Sequence, residues 1–425
     1  MIKILEYGKD QNQEIFSRGS LETSSVYEIV SDIIKDVKLN KDKALKFYAE
    51  KFDGVVLDKL EVTSEEFEEA FSLVDEELIE TIKKAEGNIR FFHEKQFRVG
   101  FKMEKEDGVI LGQKISPIEN VGLYVPGGTA SYPSTVLMDA VPAKIAGCSN
   151  IVMVTPPMKN GKVNPAILVA SKIAGVDRVF KIGGAQAIGA LAYGTESVPK
   201  VDKIVGPGNI FVAEAKRQVF GLVAIDVIAG PSEILIVADK DNNAKHIACD
   251  LLSQAEHDKM ASAVLVTNSM DFAKEVQKEI EIELEKLSRK DIARISIDNN
   301  GKIIVCDNLD VAIEISNAVA PEHLELCVNE PFKYLEKVKH AGSVFLGKNC
   351  PEALGDYYAG PNHTLPTNGA ARFSSPLSVD DFVKKTQFIY YTEKALANSC
   401  KEVERFANAE GLTAHARSAT VRGER

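Results

Sequence analysis

No stretch of the chain approaches the roughly 18 consecutive apolar residues that a membrane-spanning helix needs. Its opening, MIKILEYGKDQNQEIF, has no long apolar run and no small-residue cleavage site, so neither a membrane span nor a signal peptide is expected. The six cysteines, at 148, 249, 306, 327, 350 and 400, form no CxxC pair. That argues against a cysteine–zinc knuckle and a disulfide framework, and for a reducing cytoplasm. Positive charge is in deficit: 51 Lys and Arg face 62 Asp and Glu, a formal net charge of −11, which argues against a nucleic-acid partner or an anionic membrane surface. An anionic cofactor stays open, because backbone N–H groups at helix N-termini hold phosphates without lysines. Internal repeats and low-complexity segments are absent too.

What remains is an ordinary globular chain, 45% hydrophobic and 27% charged over 425 residues, long enough for two or three domains and a large core. Residues 21–95 carry spaced apolar positions among many charges and predict helices. From about 109, β-branched residues, glycine and proline predict short strands and turns. Strand candidates then alternate with amphipathic or alanine-rich helices: 151–155, 178–182, 203–205, 222–227 and 233–239, followed by SAVLVTN, KIIVCD, LELCV and GSVFLG. This is the pattern of βαβ units around parallel sheets, an α/β fold. Two sheet-centred domains are expected, at about 120–233 and 234–348, with the N-terminal helices packing on the second. A loop-rich stretch, 349–378, is long enough to be functional, and a strand QFIYYT and a helix stopped by Gly411 follow it.

Four glycine-rich turns stand out: YVPGGTA (124–130), KIGGAQAIGAL (181–191), VGPGNIF (205–211) and IAGPSE (228–233). The middle two follow strand candidates and open helices, where glycine lets a ligand approach the backbone. None completes GxGxxG, and no acidic residue about 20 positions on is convincing as a ribose ligand. From the pattern alone, ordinary turn chemistry is the favoured reading over a standard Rossmann nucleotide site.

The segment AKHIACDLLSQAEHD reads as a helix, with Ala244, Ile247, Ala248, Leu251, Leu252 and Ala255 on one stripe and Asp241 as N-cap. Gln254 sits at the stripe's edge and His257 off it, three residues apart on one surface. His257 is a metal ligand or a solvated residue. Glu322-His323 stands at the mouth of LELCV, and both can serve one site only if Pro321 bends the backbone. Asp356 and His363 lie in the long loop; Glu410 and His415 flank the stop of the last helix. His93, His246 and His340 read as packing or surface residues. An amide or carboxylate oxygen with two imidazoles suits zinc or another divalent first-row metal, and a separate Glu–His pair suits acid–base work near neutrality.

Eight motifs in order, YVPGG, GGAQAI, VGPGN, AGPSE, SQAEHD, APEHLE, ALGDYYAGPNHTLPT and EGLTAHA, span 124 to 416 and resemble those of the histidinol dehydrogenase family. The resemblance implies NAD-linked oxidation of L-histidinol to L-histidine through a bound aldehyde, the last step of histidine biosynthesis. It also implies zinc held by Gln254, His257, Asp356 and His415, and Glu322 and His323 as the acid–base pair. Ser232 and Glu410 would join these in holding substrate, and Tyr124, Gln186 and Asn209 would contact NAD. It further implies two incomplete Rossmann-like domains, N-terminal helices, a C-terminal helical tail, and a homodimer with shared active sites. The division expected is an arm at 1–20, a discontinuous α/β domain of 21–120 and 234–377, an NAD-binding domain at 121–233, and a tail at 378–425. A zinc hydrolase and a non-catalytic metal- or nucleotide-binding protein are the alternatives.

Overall fold

The computed structural model describes every residue except 11, 17–23, 128–130, 229 and 424–425. Part of the expected N-terminal arm, the end of the first glycine-rich turn, Ala229 of the fourth and the last two residues therefore lie outside the described residues.

In chain order, the N-terminal part holds β1 (Lys3–Glu6), the short α1 (Asn12–Ile15), α2 (Ser24–Tyr48), α3 (Ser64–Leu73) and α4 (Glu76–His93). Strands β2 (Phe101–Glu104) and β3 (Ile110–Pro117) lead into the first βαβ series. That series runs β4 (Asn120–Tyr124), α5 (Pro133–Ala146), β5 (Asn150–Thr155), α6 (Pro165–Ala174), β6 (Arg178–Lys181), α7 (Gly184–Tyr193), β7 (Lys203–Val205), α8 (Ile210–Val219) and β8 (Ala224–Ile225). The second runs β9 (Glu233–Ala238), α9 (Ala244–Ala255), β10 (Ser262–Thr267), α10 (Met270–Leu284), α11 (Lys290–Asn300), β11 (Lys302–Val305), α12 (Leu309–Val319), β12 (His323–Cys327), α13 (Pro331–Leu335), β13 (Ser343–Leu346) and the one-turn α14 (Glu352–Leu354). The tail is β14 (Val383–Tyr390), α15 (Glu393–Ala409) and α16 (Thr413–Thr420).

The two series build the same sheet twice. The first is ordered β6-β5-β4-β7-β8 and the second β1-β11-β10-β9-β12-β13. Within each series this is the 3-2-1-4-5 order of a doubly wound dinucleotide-binding sheet without its sixth strand. All pairings in both are parallel. Parallel strands flanked by helices are buried on both faces, which is why β9 (EILIVA) and β12 (HLELC) are buried at every position. The α/β expectation holds, with one addition: β1 extends the second sheet in register with β11.

The N-terminal helices were expected on the second sheet and instead cover the first. Val30, Val37 and Leu45 of α2 share a core with Ile188 and Leu191 of α7. Ile82 and Ile89 of α4 share another with Val136 and Val141 of α5. The apolar stripes of α2 and α4 were legible, but the surface that would accept them was not. In the tail, β14 pairs antiparallel with β3, which pairs with β2. The strand read as QFIYYT thus begins earlier, at Val383, and ends at Tyr390. Helix α15 ends beside Gly411, whose φ of 74° makes the expected stop.

Candidate functional site

The C-terminal ends of β4 and β7 in the first sheet, where ligands of open α/β sheets bind, and the N-terminal ends of β9 and β12 in the second line a common cleft. It holds two large cavities. One, about 440 Å³, is lined by Ser232, Gln254, His257, Glu322, His323, Asp356 and His363 among others, and by Asn209 from the first series. The other, about 990 Å³, is lined by Tyr124, Gln186, Asn209, Asp53 and Phe52 among others. Asn209 borders both.

Glu322 and His323 reach one cavity because Glu322 precedes the strand. Helix α12 ends at Ala320 with φ 52°, a left-handed residue that turns the chain before β12 starts at His323. The bend therefore falls one residue ahead of Pro321. Glu322 Oε2 accepts the backbone N–H of Glu233 at 2.9 Å, which ties the mouths of β12 and β9 together. Burial pushes the Glu322 carboxyl up to about 7 against the pull of His323. That value lets it gain and lose a proton near neutrality.

His323 is buried, and its Nδ1 meets the Glu233 carbonyl at 3.1 Å, Glu352 Oε1 at 3.5 Å and Glu322 Oε2 at 3.8 Å. Gln254 Nε2 stands 3.0 Å from the same nitrogen. Acceptors outnumber this amide, so Nδ1 carries the proton. Nε2 is buried without a hydrogen-bond partner; Asp356 Oδ1, at 3.6 Å, is too far for one. Burial alone would depress the imidazole, but Glu352, then Glu322 and Asp356, hold it well above the usual histidine range.

Behind His323 stands a stack of carboxyls that the sequence reading missed. Glu352 is 2% exposed, and burial pushes it to about 8. Glu325 Oε1 accepts the Glu352 backbone N–H at 2.8 Å. Burial, then Asp250, drives Glu325 well above the carboxylate range, and burial raises Asp250 to about 6. A signal was available: Glu325 is an acid inside HLELC, a strand buried at every position.

Gln254 lies in the last turn of α9 and is 1% exposed. His257 sits beyond the helix, which ends at Ala255, so their nearness comes from the turn and not from a shared helical face. The N-cap of α9 is Asn243, which accepts the Lys245 N–H at 2.9 Å, and not Asp241. Burial lowers the His257 pKa against the attraction of Asp356, and a neutral imidazole is the metal-binding form. Asp356 is kept below the usual carboxylate range because His323 overcomes the effect of burial. An amide, an imidazole and a carboxylate on one cavity fit a zinc ion that lacks one ligand. His323, Glu352 and Asp356 also cluster closely enough to hold a cation. Glu352 and Asp356 address opposite nitrogens of the ring, however, so this trio is better understood as an acid–base cluster. His363, unassigned by the sequence reading, also borders the cavity; its Nδ1 donates to the Asp356 carbonyl at 3.0 Å.

Glu410 and His415 are exposed and border neither cavity. Within one chain they do not meet the other site residues. His93 is buried and bonded to Gln96 at 2.7 Å, the packing role expected; His246 is exposed.

The glycine-rich turns shape the larger cavity. Gly184, with φ 64°, opens α7, and a Cβ there would stand 2.7 Å from Gln186 Oε1. Its N–H donates to the Tyr124 hydroxyl at 3.1 Å. Gly206, with φ 113°, passes so close to β4 that a Cβ would lie 2.1 Å from the Tyr124 carbonyl. Buried Lys216 donates to the Gly206 carbonyl at 3.0 Å and pairs with Asp226, which accepts the Gly206 N–H at 2.8 Å. The turn that carries Asn209 is thus fixed from both sides. Asn209 Oδ1 caps α8 through Phe211 and Val212. Gln186 Oε1 is buried without a partner, an acceptor that a bound dinucleotide would satisfy.

Two sheets of dinucleotide-binding order around a cleft with a buried Glu–His pair define an α/β enzyme of Rossmann-like class. The family model described as histidinol dehydrogenase matches residues 16–423. The histidinol dehydrogenase of Clostridium acetobutylicum is 54% identical over 99% of both chains. That of Bacillus cereus (strain ATCC 14579) is 57% identical over 94% of this chain and 93% of its own. The crystal structure of histidinol dehydrogenase from Elizabethkingia anophelis superposes with a TM-score of 0.94 at 41% identity, covering 99% of this chain and 98% of that one. The chain belongs to the histidinol dehydrogenase family, and is with it an oxidoreductase of histidine biosynthesis.

Proposed function

We propose that this protein oxidises L-histidinol to L-histidine through bound L-histidinal, with NAD as acceptor and zinc as resident metal, acting as a cytoplasmic homodimer. The observation that carries the reading is the meeting of the two cavities at Asn209. The smaller gathers Glu322 and His323 with Gln254, His257 and Asp356; the larger suits a dinucleotide. The compartment rests on six cysteines without a disulfide and on the absence, among the described residues, of a helix long and apolar enough to cross a membrane.

Gln254, His257 and Asp356 would hold zinc with His415 of the partner subunit, and Tyr124, Gln186 and Asn209 would contact NAD. When bound, zinc would supply a Lewis acid that helps position the substrate, and NAD would accept the hydride. Ser232 and the partner subunit's Glu410 complete the substrate's surroundings. His323 Nε2 takes the hydroxyl proton as the alcohol is oxidised, and Glu233 and Glu352 hold the ring in place through Nδ1. Glu322 removes a proton from the water that adds to the aldehyde, and the hydrate is then oxidised to the acid. Retention of the reactive aldehyde in this cavity between the two steps would limit its escape to solvent.

The tail supports a shared site. Ala395 and Ala407 of α15 and Ala416 and Ala419 of α16 are the buried positions of a helix pair that packs mainly on itself. Its outer residues, including Val403, Phe406 and Leu412, are exposed, as an arm made to lie on a partner would be. Mixing the protein with histidinol and NAD and following absorbance at 340 nm tests the reading. A metal hydrolase would give no signal, and would also have no use for the second cavity.

A further inference from the structure

The sequence offers no acidic residue at the usual distance beyond a glycine-rich turn to take a ribose hydroxyl. In a sheet of this order that residue stands at the C-terminal end of the second strand, here β5. The chain there reads Thr155-Pro156-Pro157. Pro156 is packed so tightly that a Cβ on Gly183 would lie 2.6 Å from its own Cβ. No carboxylate comes from this edge.

One comes from the opposite wall. The wide helical turn Ala49–Asp53, which follows α2, brings Asp53 to the larger cavity. Its Oδ2 is buried and has no hydrogen-bond partner. The turn does not need that carboxylate: Gly54, left-handed at φ 72°, closes it by donating its N–H to the Ala49 carbonyl, and Val55 N–H donates to the same oxygen at 3.3 Å. A buried, unpaired carboxylate oxygen is costly to keep, and burial already pushes Asp53 to about 6. Hydroxyl donors from a ligand would relieve that cost. Phe52 and Met158 line the same cavity and offer apolar faces for an adenine ring. Asn209, shared with the catalytic cavity, marks the end where the nicotinamide must lie for hydride transfer; Asp53 does not border that cavity.

Resting on the reading of this cavity as the dinucleotide site, we propose that Asp53 accepts the adenosine-ribose hydroxyls of the cofactor and repels a 2′-phosphate. The N-terminal helical layer would then make the chain select NAD over NADP. Lys159 also borders the cavity but is exposed. A solvated ammonium is screened more than a half-buried carboxylate whose Oδ2 is shielded from solvent.

The test compares wild type with Asp53→Asn, Asp53→Ser and, as a marker of the cavity, Gln186→Ala, each assayed with NAD and with NADP. Both Asp53 variants should raise KM for NAD about 10- to 100-fold, the worth of a hydrogen bond to a charged group. The loss should fall on KM and not on kcat, and the preference for NAD over NADP should shrink at least as much. If Gln186→Ala raises KM for NAD and neither Asp53 variant changes KM or preference, Asp53 has no such role and the cavity reading stands. If none of the three changes KM, the cavity is not the dinucleotide site and both readings fall.

Discussion

Glu352 Oε1 lies 3.5 Å from His323 Nδ1, with the two side chains 2% and 5% exposed. In so dry a setting each stabilises the other's charge, and the pair shares protons instead of titrating independently. The charge of Glu352 is the largest single influence that raises the His323 pKa. Glu352→Gln removes a charge that favours imidazolium, so the His323 pKa falls. Alcohol oxidation requires the neutral base, and its rate rises as pH climbs through that pKa. The rising limb of the pH–rate profile for histidinol should therefore move to lower pH in Glu352→Gln. A limb that stays in place, or moves up, would show that Glu352 does not set the protonation of His323.

The two members of the Glu–His pair should fail differently. Glu322→Gln should slow oxidation of added histidinal by roughly 100- to 10,000-fold, the usual worth of a general base. A single turnover of histidinol to the aldehyde should be better preserved. Glu322 titrates at about 7, so the wild-type aldehyde step should gain rate as pH rises through neutrality, and the variant should lose that dependence. Equal damage to both half-reactions in Glu322→Gln and in His323→Asn would contradict the division of labour.

Zinc retention tests the ligand set. His257→Asn removes an imidazole nitrogen from a site otherwise rich in oxygen, so zinc held after dialysis should fall sharply while the fold survives. Survival is expected because His257 stands in a turn beyond α9 and outside the cores. Zinc content equal to wild type would remove His257 from the ligands.

Much of this was legible in the sequence, and what was not has physical causes. The apolar strands and the turns between them announced two parallel sheets, because strands buried on both faces must be apolar throughout. Helix–sheet partnership left no such mark: the stripe of α2 fits any apolar surface, and its seat against α7 appears only in three dimensions. Glu322 and His323 were found as neighbours, but the left-handed Ala320 that lets both face one cavity carries no side-chain signature. The Asp250–Glu325–Glu352 stack joins three segments far apart in sequence, and Asp53 reaches its cavity from a layer assigned to the other sheet. The tail was legible as a helix with a glycine stop, whereas the destination of His415 was not: within one chain it borders neither cavity.

Subunit mixing tests that destination. His415→Ala and His257→Ala should each be inactive alone. In a hybrid dimer with shared sites, one site carries both lesions and the other none. Random pairing should then restore about a quarter of wild-type activity, half the dimers with half their sites. No recovery, with subunit exchange demonstrated, would mean that each chain completes its own site.

The most direct test of the whole account is the stoichiometry of reduction. Limiting L-histidinol, excess NAD and the zinc-loaded protein should yield two NADH per histidinol by absorbance at 340 nm. L-histidine should be the product, and a carbonyl-trapping reagent in the solution should collect no free aldehyde. One NADH per histidinol with trapped aldehyde, or none at all, would contradict the two-step oxidation in a closed site.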